Sequence, residues 1–216
     1  MPHALIVGAS RGLGLGLVRG FVGRGWQVTG TVRREADGHA VRAAGGTVLI
    51  ADMTRPVDVE ALHDAISMLD LLLVNGGISG PATAGVDEAA LGHLFMTNAV
   101  APVQLARRLM DRVRPEGIVA FMSSLMGSVA LNSSGNLELY RASKAALNSL
   151  TRSMVAQLDR EVRVLTLHPG WVQTDMGGAG ADLDVETSVR GLVDVILADR
   201  AAGSVFLDYT GRQLAW

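Results

Sequence analysis

Tyr140 and Lys144 are four residues apart, a spacing that could support proton transfer. On a helix, positions i and i+4 share one face, so the phenol and the ammonium would project together. A free tyrosine has a pKa of about 10, and acid or base work near pH 7 needs a shift worth about 4 kcal/mol. One positive charge about 4 Å away, at an effective dielectric of about 20, supplies about 4 kcal/mol. The pair is therefore sufficient in principle for general acid–base chemistry.

The composition favours this interpretation of the pair. Lys144 is the single lysine among 19 basic residues, and Tyr140 is one of two tyrosines. A lysine kept in a chain that otherwise uses arginine indicates a place where a guanidinium would not serve. Tyr–Lys pairs at this spacing are also common on helix surfaces with no catalytic role, so the other motifs must decide.

A glycine-rich turn follows the first apolar run. Its pattern is Gly8-x-x-x-Gly12-x-Gly14, with Ser10, Arg11 and Leu13 between the glycines. Such glycines let the backbone turn tightly and approach a pyrophosphate, which binds the amide groups that open the next helix. The turn therefore predicts a dinucleotide-binding loop.

The second apolar run ends in Thr31-Val32-Arg33-Arg34. An acid at this place would bind the ribose 2′-hydroxyl of NAD, whereas an arginine would pair with the 2′-phosphate of NADP. Arg33, with Arg11 as a second candidate, favours NADP(H) over NAD(H). Glu35 is close enough to leave NAD(H) open.

Short apolar runs and amphipathic stretches alternate along the chain and must position these residues. Strands are predicted at 4–7, 27–31, 48–50, 69–74, 118–122, 162–167 and 205–207, and helices at 13–24, 35–44, 58–67, 87–114, 139–160 and 185–198, with Pro102 breaking or bending the fourth helix. This alternation predicts an α/β fold, a doubly wound, Rossmann-type, mostly parallel seven-stranded sheet with helices on both faces. No linker or repeat interrupts it, so we expect one domain over 1–216.

Ligands of such sheets bind beyond the carboxyl ends of the strands. Small, polar and glycine residues follow the predicted strands there, namely Asp52 and Met53, Asn75-Gly76-Gly77, Ser123 and Ser124, and His168-Pro169-Gly170. His168 is interpreted as a strand-end residue. The glycine-rich stretch after Thr174 predicts an open, mobile pocket of low selectivity.

Together these motifs resemble the short-chain dehydrogenase/reductase family, in its single-domain branch, over essentially the whole chain. The ending from Phe206 to Trp216 is similar to that of the small C-factor and sniffer-like carbonyl reductases. Val74 and Gly76 depart from the family's Asn-Asn-Ala-Gly turn. The family's serine falls on Ser124 because Ser124-Leu125-Met126-Gly127 fits its Ser-x-x-Gly pattern, although Ser123 stays open.

The resemblance implies hydride transfer between NADP(H) and a carbonyl or alcohol substrate. Tyr140 would exchange the proton, Ser124 would orient the carbonyl, Lys144 would hold the nicotinamide ribose and lower the Tyr140 pKa, and Asn98 would anchor a relay water by bending its helix. The implied cofactor-binding residues are Gly8, Ser10, Arg11, Gly12, Leu13, Gly14, Arg33, Asp52, Met53, Asn75, Gly76, Gly77, Tyr140, Lys144, Pro169, Gly170, Val172 and Thr174. Homodimers or homotetramers are usual in the family.

The composition also limits which other ligands, metal sites and cellular locations the protein can have. The 216 residues carry a formal charge of −2 and no cysteine, which disfavours nucleic-acid binding and excludes disulfides and thiolate chemistry. The histidines have no ligand spacing, so no metal site is expected. No signal peptide or membrane span is evident, and we expect a cytoplasmic protein. The alternative function is a non-catalytic NADP(H)-binding redox sensor or protein-interaction module, which would need the glycine loop but no proton donor.

Overall fold

A parallel sheet forms the centre of the computed structural model, which describes residues 1–198 and 201–216. Its seven strands are β1 His3–Val7, β2 Gln27–Val32, β3 Thr47–Ile50, β4 Leu69–Val74, β5 Val113–Met122, β6 Arg163–His168 and β7 Gly203–Asp208. Their order is β3-β2-β1-β4-β5-β6-β7, and each neighbouring pair is parallel. The strand order reverses between β1 and β4, the place where such sheets bind ligands.

Helices cover both faces of the sheet in the part of the chain that the structure describes. They are α1 Gly12–Val22, α2 His39–Ala43, α3 Pro56–Ala65, α4 Glu88–Phe95, α5 Ala101–Arg108, α6 Glu138–Ala156 and α7 Val185–Leu197. One face packs against α1, α2 and α7, and the other against α3, α5 and α6. The predicted doubly wound fold is confirmed, and all of its strand pairs are parallel.

Alternation along β1 shows how the sequence specifies two cores. Ala4 and Ile6 belong to the core beneath α1 and α7, whereas Leu5 and Val7 belong to the core beneath α5 and α6. Because successive strand residues face opposite sides, a strand buried on both faces is apolar throughout. This is the origin of the short apolar runs in the sequence.

The helix predicted at 87–114 is wrong as one element. The structure has α4, then a π-helical turn at Met96–Val100, then α5 and a 3₁₀ turn at Met110–Arg112. The Ala101 N–H bonds the Met96 carbonyl across this wider turn. Pro102 has no N–H to donate to the carbonyl four residues before it, that of Asn98. Strand β5 also begins at Val113, so the predicted helix ran into it.

Candidate active site

A cleft of about 490 Å³ opens at the carboxyl ends of the central strands. Most of the predicted cofactor-binding residues line it, namely Gly8, Ser10, Arg11, Gly12, Leu13, Arg33, Asp52, Met53, Asn75, Gly76, Gly77, Tyr140, Lys144, Pro169 and Thr174. Residues as far apart in the chain as Val7 and Met176 therefore converge on one site at the strand-order reversal.

The glycine-rich loop has the shape that a pyrophosphate needs. Gly8 and Gly12 have positive φ angles of 86° and 52°. A Cβ on Gly14 would lie 2.0 Å from the Gly8 carbonyl oxygen, so α1 can approach β1 only because residue 14 is glycine. Helix α1 has no side-chain cap and no acid in its first turn, which leaves its positive end available for an anion. These residues fit a dinucleotide.

Three of the predicted cofactor residues support the cleft without lining it. Gly14 packs α1 against β1, and a Cβ on Gly170 would lie 2.4 Å from Leu183. Val172 is buried and forms an isolated bridge with Leu183. Direct cofactor contact by these three stays a prediction.

Tyr140 lines the cleft from the first turn of α6. Burial raises the pKa of its phenol above the usual 10.0, and a hydrogen bond with the Ser124 side chain opposes that rise without cancelling it. That Lys144 lowers this pKa stays a prediction. The ammonium is 5.9 Å from the centre of the Tyr140 ring, and burial dominates. Tyr140 is therefore protonated at neutral pH, which suits a proton donor.

Lys144 is held inside the protein beneath the cleft. It is 4% exposed, and its Nζ donates a hydrogen bond of 2.9 Å to the Met122 carbonyl. Burial lowers its pKa from 10.5 to about 8. The single lysine is thus still charged at pH 7, one helical turn from Tyr140.

Ser123 and Ser124 have different surroundings. The Ser123 hydroxyl is buried and donates to Asn148 Oδ1 at 2.7 Å. The Ser124 Oγ accepts from the Met126 N–H at 3.1 Å, and its side chain hydrogen-bonds the Tyr140 phenol. The geometry thus pairs Tyr140 with Ser124, although of the two serines it is Ser123 that lines the cleft.

Asn98 lies in the π-helical turn and is fully buried. Its Oδ1 accepts from the Ile78 N–H at 2.8 Å, and its Nδ2 donates to the Ile78 carbonyl at 2.8 Å and to Ser143 Oγ at 3.0 Å. Ser143 in turn donates to the Tyr140 carbonyl at 2.7 Å. The amide is therefore used within the protein, where it ties the turn after β4 to the start of α6.

The arginines after β2 divide their roles. Both Nε and Nη2 of Arg34 donate to Asp37 at 2.8 Å. Glu35, which left NAD(H) open in the sequence, pairs with Arg42. Arg33 lines the cleft and makes no side-chain hydrogen bond or ion pair with any residue that the structure describes. Arg33 is thus the arginine available to a phosphate.

Asp52 lines the cleft, and its carboxylate also stabilises the turn after β3 through hydrogen bonds with Thr54. Burial acts to raise its pKa, but hydrogen bonds from Thr54, together with Arg33 and Arg55, hold that pKa below the usual value. Its Oδ1 accepts from the N–H and the hydroxyl of Thr54, at 2.9 and 2.7 Å. The other carboxylate oxygen has no such partner within residues 1–198 and 201–216. The neighbouring Met53 side chain packs against Gly76. A Cβ added to Gly76 would lie only 3.1 Å from Met53 Cε.

Several lining residues were not identified from the sequence. They are Thr31, Asp37, Thr54, Ile78, His93, Thr97 and Gln173, besides apolar residues at strand ends. Met122 and Met176 were expected near the cleft, and Asp175 lies in the glycine-rich stretch that predicted the pocket. Thr54 and Ile78 each lie four residues after the end of a predicted strand, and that position alone could have flagged them. Thr97 and His93 lie on α4 and its π-turn, whose geometry the apolar pattern did not indicate. His168 is outside this lining, and burial lowers its pKa to about 4.

The part of the chain that the structure describes contains neither a candidate metal-binding cluster nor a candidate membrane-spanning helix. No group of three His, Asp or Glu residues there could hold a metal ion. Nor is any helix within residues 1–198 and 201–216 long and apolar enough to cross a bilayer.

Known proteins are similar to this chain in sequence and, where their structures are solved, in fold. C-signal of Myxococcus xanthus is 43% identical over 156 residues, covering 68% of this chain and 93% of that protein. A carbonyl reductase from Pseudomonas aeruginosa PAO1, solved in complex with NADP, is 43% identical with a TM-score of 0.91, and both chains are covered in full. The carbonyl reductase Sniffer of D. melanogaster is 31% identical with a TM-score of 0.89, again over both whole chains.

The family comparison agrees with the geometry of the site. The model for short chain dehydrogenases matches residues 2–182, which include the glycine-rich loop, Ser124, Tyr140 and Lys144. The resemblance inferred from the motifs is confirmed. The chain is an oxidoreductase that belongs to the short-chain dehydrogenase family.

Proposed function

We propose that the protein is an NADP(H)-dependent reductase of small aldehydes or ketones, with Tyr140 as proton donor. The observation that carries this proposal is the half-buried, protonated Tyr140, hydrogen-bonded to Ser124 and one helical turn from the ammonium of Lys144. The similar P. aeruginosa and D. melanogaster proteins are carbonyl reductases.

The residues divide the work of carbonyl reduction as follows. When bound, the nicotinamide supplies the hydride for the carbonyl carbon. Negative charge then develops on the carbonyl oxygen, and the Tyr140 phenol gives that oxygen its proton. The Ser124 hydroxyl orients the oxygen beside the phenol. Solvent returns a proton to the phenolate, while the Lys144 ammonium stabilises the charge on it.

The preference for NADP(H) over NAD(H) rests on Arg33 and Arg11. Both line the cleft, and Arg33 is not held by a carboxylate in the part of the chain that the structure describes. A guanidinium matches a phosphate with paired, charge-assisted hydrogen bonds. The similar protein from P. aeruginosa was solved with NADP.

The assembly and location of the protein are further parts of the proposal. We propose a homodimer or homotetramer, as the family resemblance implies, in the cytoplasm, with which the cysteine-free composition is compatible. Light scattering after size-exclusion chromatography measures the assembly, and a monomer at micromolar concentration would contradict it.

NADPH consumption tests the activity. Purified protein is mixed with NADPH and a panel of aldehydes, ketones, diketones and quinones, with Tyr140→Phe as the variant. The loss of the proton donor is expected to lower kcat by at least about 100-fold. Because the phenol ring is retained, NADPH binding is expected to change little.

The outcomes separate the proposal from its alternative. Turnover that Tyr140→Phe abolishes supports the reductase, and turnover that survives the substitution contradicts Tyr140 as donor. Saturable NADPH binding without turnover on any compound would favour the cofactor-binding redox sensor.

A further inference from the structure

An ion pair joins two loops across the mouth of the cleft. Arg11 Nη1 in the glycine-rich loop donates to Asp175 Oδ2, after β6, at 2.5 Å. The loops also touch below this pair, since a Cβ on Gly12 would lie 3.4 Å from Thr174 Cγ2. Both charged residues line the cleft, so whatever enters it meets this contact.

The segment 173–181 that carries Asp175 is folded on itself. Trp171 Nε1 donates to the Gly177 carbonyl at 2.9 Å, and the Gly177 N–H donates to Thr174 Oγ1 at 3.1 Å. The Gln173 N–H donates to the Leu183 carbonyl at 2.8 Å, and the Leu183 N–H donates to the Trp171 carbonyl at 3.0 Å, which fixes the base of the segment. Within residues 1–198 and 201–216, the Arg11–Asp175 pair is its one hydrogen bond to the glycine-rich loop. That pair is therefore the tie between the two loops.

Arg11 also belongs to the cationic group at the end of β2. The Arg34 hydrogen bond, followed by the charges of Arg33 and Arg11, holds the pKa of Asp37 below its usual value. Arg11 is thus close enough to act on the same carboxylate as Arg33 and Arg34. An anion bound between Arg33 and Arg11 would accept hydrogen bonds from the same Arg11 guanidinium that pairs with Asp175.

We propose that Asp175 and the 2′-phosphate of NADP(H) compete for the Arg11 guanidinium, so that phosphate binding releases segment 173–181 from the glycine-rich loop. This inference rests on the proposed use of NADP(H). NAD(H) lacks the 2′-phosphate and leaves the ion pair closed. Asp175 thereby becomes a residue that tunes cofactor affinity and couples the cofactor to a loop that lines the same cleft as Tyr140.

The expected size of the competition follows from the exposure of the pair. The side chains of Arg11 and Asp175 are 76% and 72% exposed, and exposed ion pairs are weak. Removal of the competing carboxylate should therefore tighten the binding of a 2′-phosphate by about two- to fivefold. High salt should reduce this gain.

Calorimetry with two nucleotides measures the competition without turnover. The probes are 2′,5′-ADP and 5′-AMP, which differ only in the 2′-phosphate. Asp175→Asn is expected to bind 2′,5′-ADP about two- to fivefold more tightly, because the ion pair that it removes is exposed and weak, and to bind 5′-AMP as the unaltered protein does. Asp182→Asn, an exposed aspartate nearby with no hydrogen bond in the described residues, is the matched control and should change neither affinity.

A second variant separates competition for Arg11 from simple charge repulsion. In an Arg11→Ala background, Asp175→Asn is expected to have no further effect on 2′,5′-ADP binding. A gain of the same size in that background would mean that Asp175 repels the phosphate directly, and it would overturn the proposal. An Asp175→Asn affinity equal to that of the unaltered protein would overturn it as well.

Hydrogen exchange reads out the loop itself. With 2′,5′-ADP bound, the amides of segment 173–181 should exchange faster than with 5′-AMP bound, and Asp175→Asn should show the faster exchange with either nucleotide. Equal exchange with both nucleotides in the unaltered protein would overturn the proposed release. These readouts need no substrate, so they can fail while NADPH-dependent reduction succeeds, and they can succeed where reduction fails.

Discussion

Burial shifts the pKa values of Tyr140 and Lys144 in opposite directions and leaves both groups protonated at neutral pH. Burial raises the pKa of Tyr140 and lowers that of Lys144, because in each case the charged form loses its hydration. At neutral pH the site therefore holds a neutral phenol and an ammonium. That pair suits reduction, in which the phenol gives up a proton and the ammonium stabilises the phenolate.

The buried ammonium costs stability, which Lys144→Met can measure. A pKa lowered from 10.5 to about 8 corresponds to about 3 kcal/mol. Below pH 8 the lysine is charged in both the folded and the unfolded chain, so the folded protein carries the whole cost. From pH 8 to 10.5 the unfolded chain binds more protons, and stability rises with pH. Lys144→Met should therefore raise the free energy of unfolding at pH 7 by about 1–3 kcal/mol, with the gain shrinking toward pH 10.5.

Urea unfolding at pH 7 and pH 10 checks this prediction. Lys144→Arg is the matched variant, because it keeps the positive charge and adds side-chain volume. The space around the Lys144 Nζ is already tight, since even a Cβ added to Gly77 would lie 3.3 Å from it. It should destabilise the protein by about 1–3 kcal/mol through overpacking. A stabilising Lys144→Arg would contradict the inference that no guanidinium can serve here.

Among the elements, the strands could be predicted from the sequence and the special turns could not. Strand β4, at Leu69–Val74, lies where its apolar run predicted it, because burial on both faces leaves a direct mark on the sequence. The π-helical turn around Asn98 has no such mark. Apolar spacing continues through it, and the wider turn follows from tertiary bonds between Asn98, Ile78 and Ser143.

The start of α6 contains a strained residue that the sequence did not reveal. Leu137 has φ 55° and ψ 46°, the left-handed conformation, three residues before Tyr140. A side chain there costs about 1–2 kcal/mol, and a glycine costs about 0.5–1 kcal/mol in chain entropy. Leu137→Gly should therefore stabilise the protein by about 0.5–1 kcal/mol.

The midpoint of urea unfolding measures this gain. Leu131→Gly is the control, since Leu131 is also exposed but has no positive φ angle. It should destabilise the protein by about 0.5–1 kcal/mol. Equal effects of the two substitutions would show that Leu137 is not strained.

For the whole molecule, the sequence predicted the converging loops but not the pairing of their charges. Parallel strands bring their carboxyl ends to one edge, so the positions of Gly8, Asn75 and Pro169 in one cleft follow from topology. Which arginine is free does not, because adjacent Arg33 and Arg34 look alike in the chain. Only the fold shows that Asp37 holds Arg34 and that Arg33 faces the cleft.

A protein with a formal charge of −2 should owe its affinity for a phosphorylated cofactor to this local cationic group. Arg33→Ala is expected to weaken NADPH binding by about 10- to 100-fold, the effect of losing one charge-assisted hydrogen-bond pair, and to leave NADH binding nearly unchanged. Arg34→Ala is the matched control and should have a smaller effect, because Asp37 already holds its guanidinium. Fluorescence titration at low and high salt measures both affinities. The advantage of NADPH should decline with salt in the unaltered protein and be small throughout in Arg33→Ala. Equal losses in the two variants would move the 2′-phosphate away from Arg33.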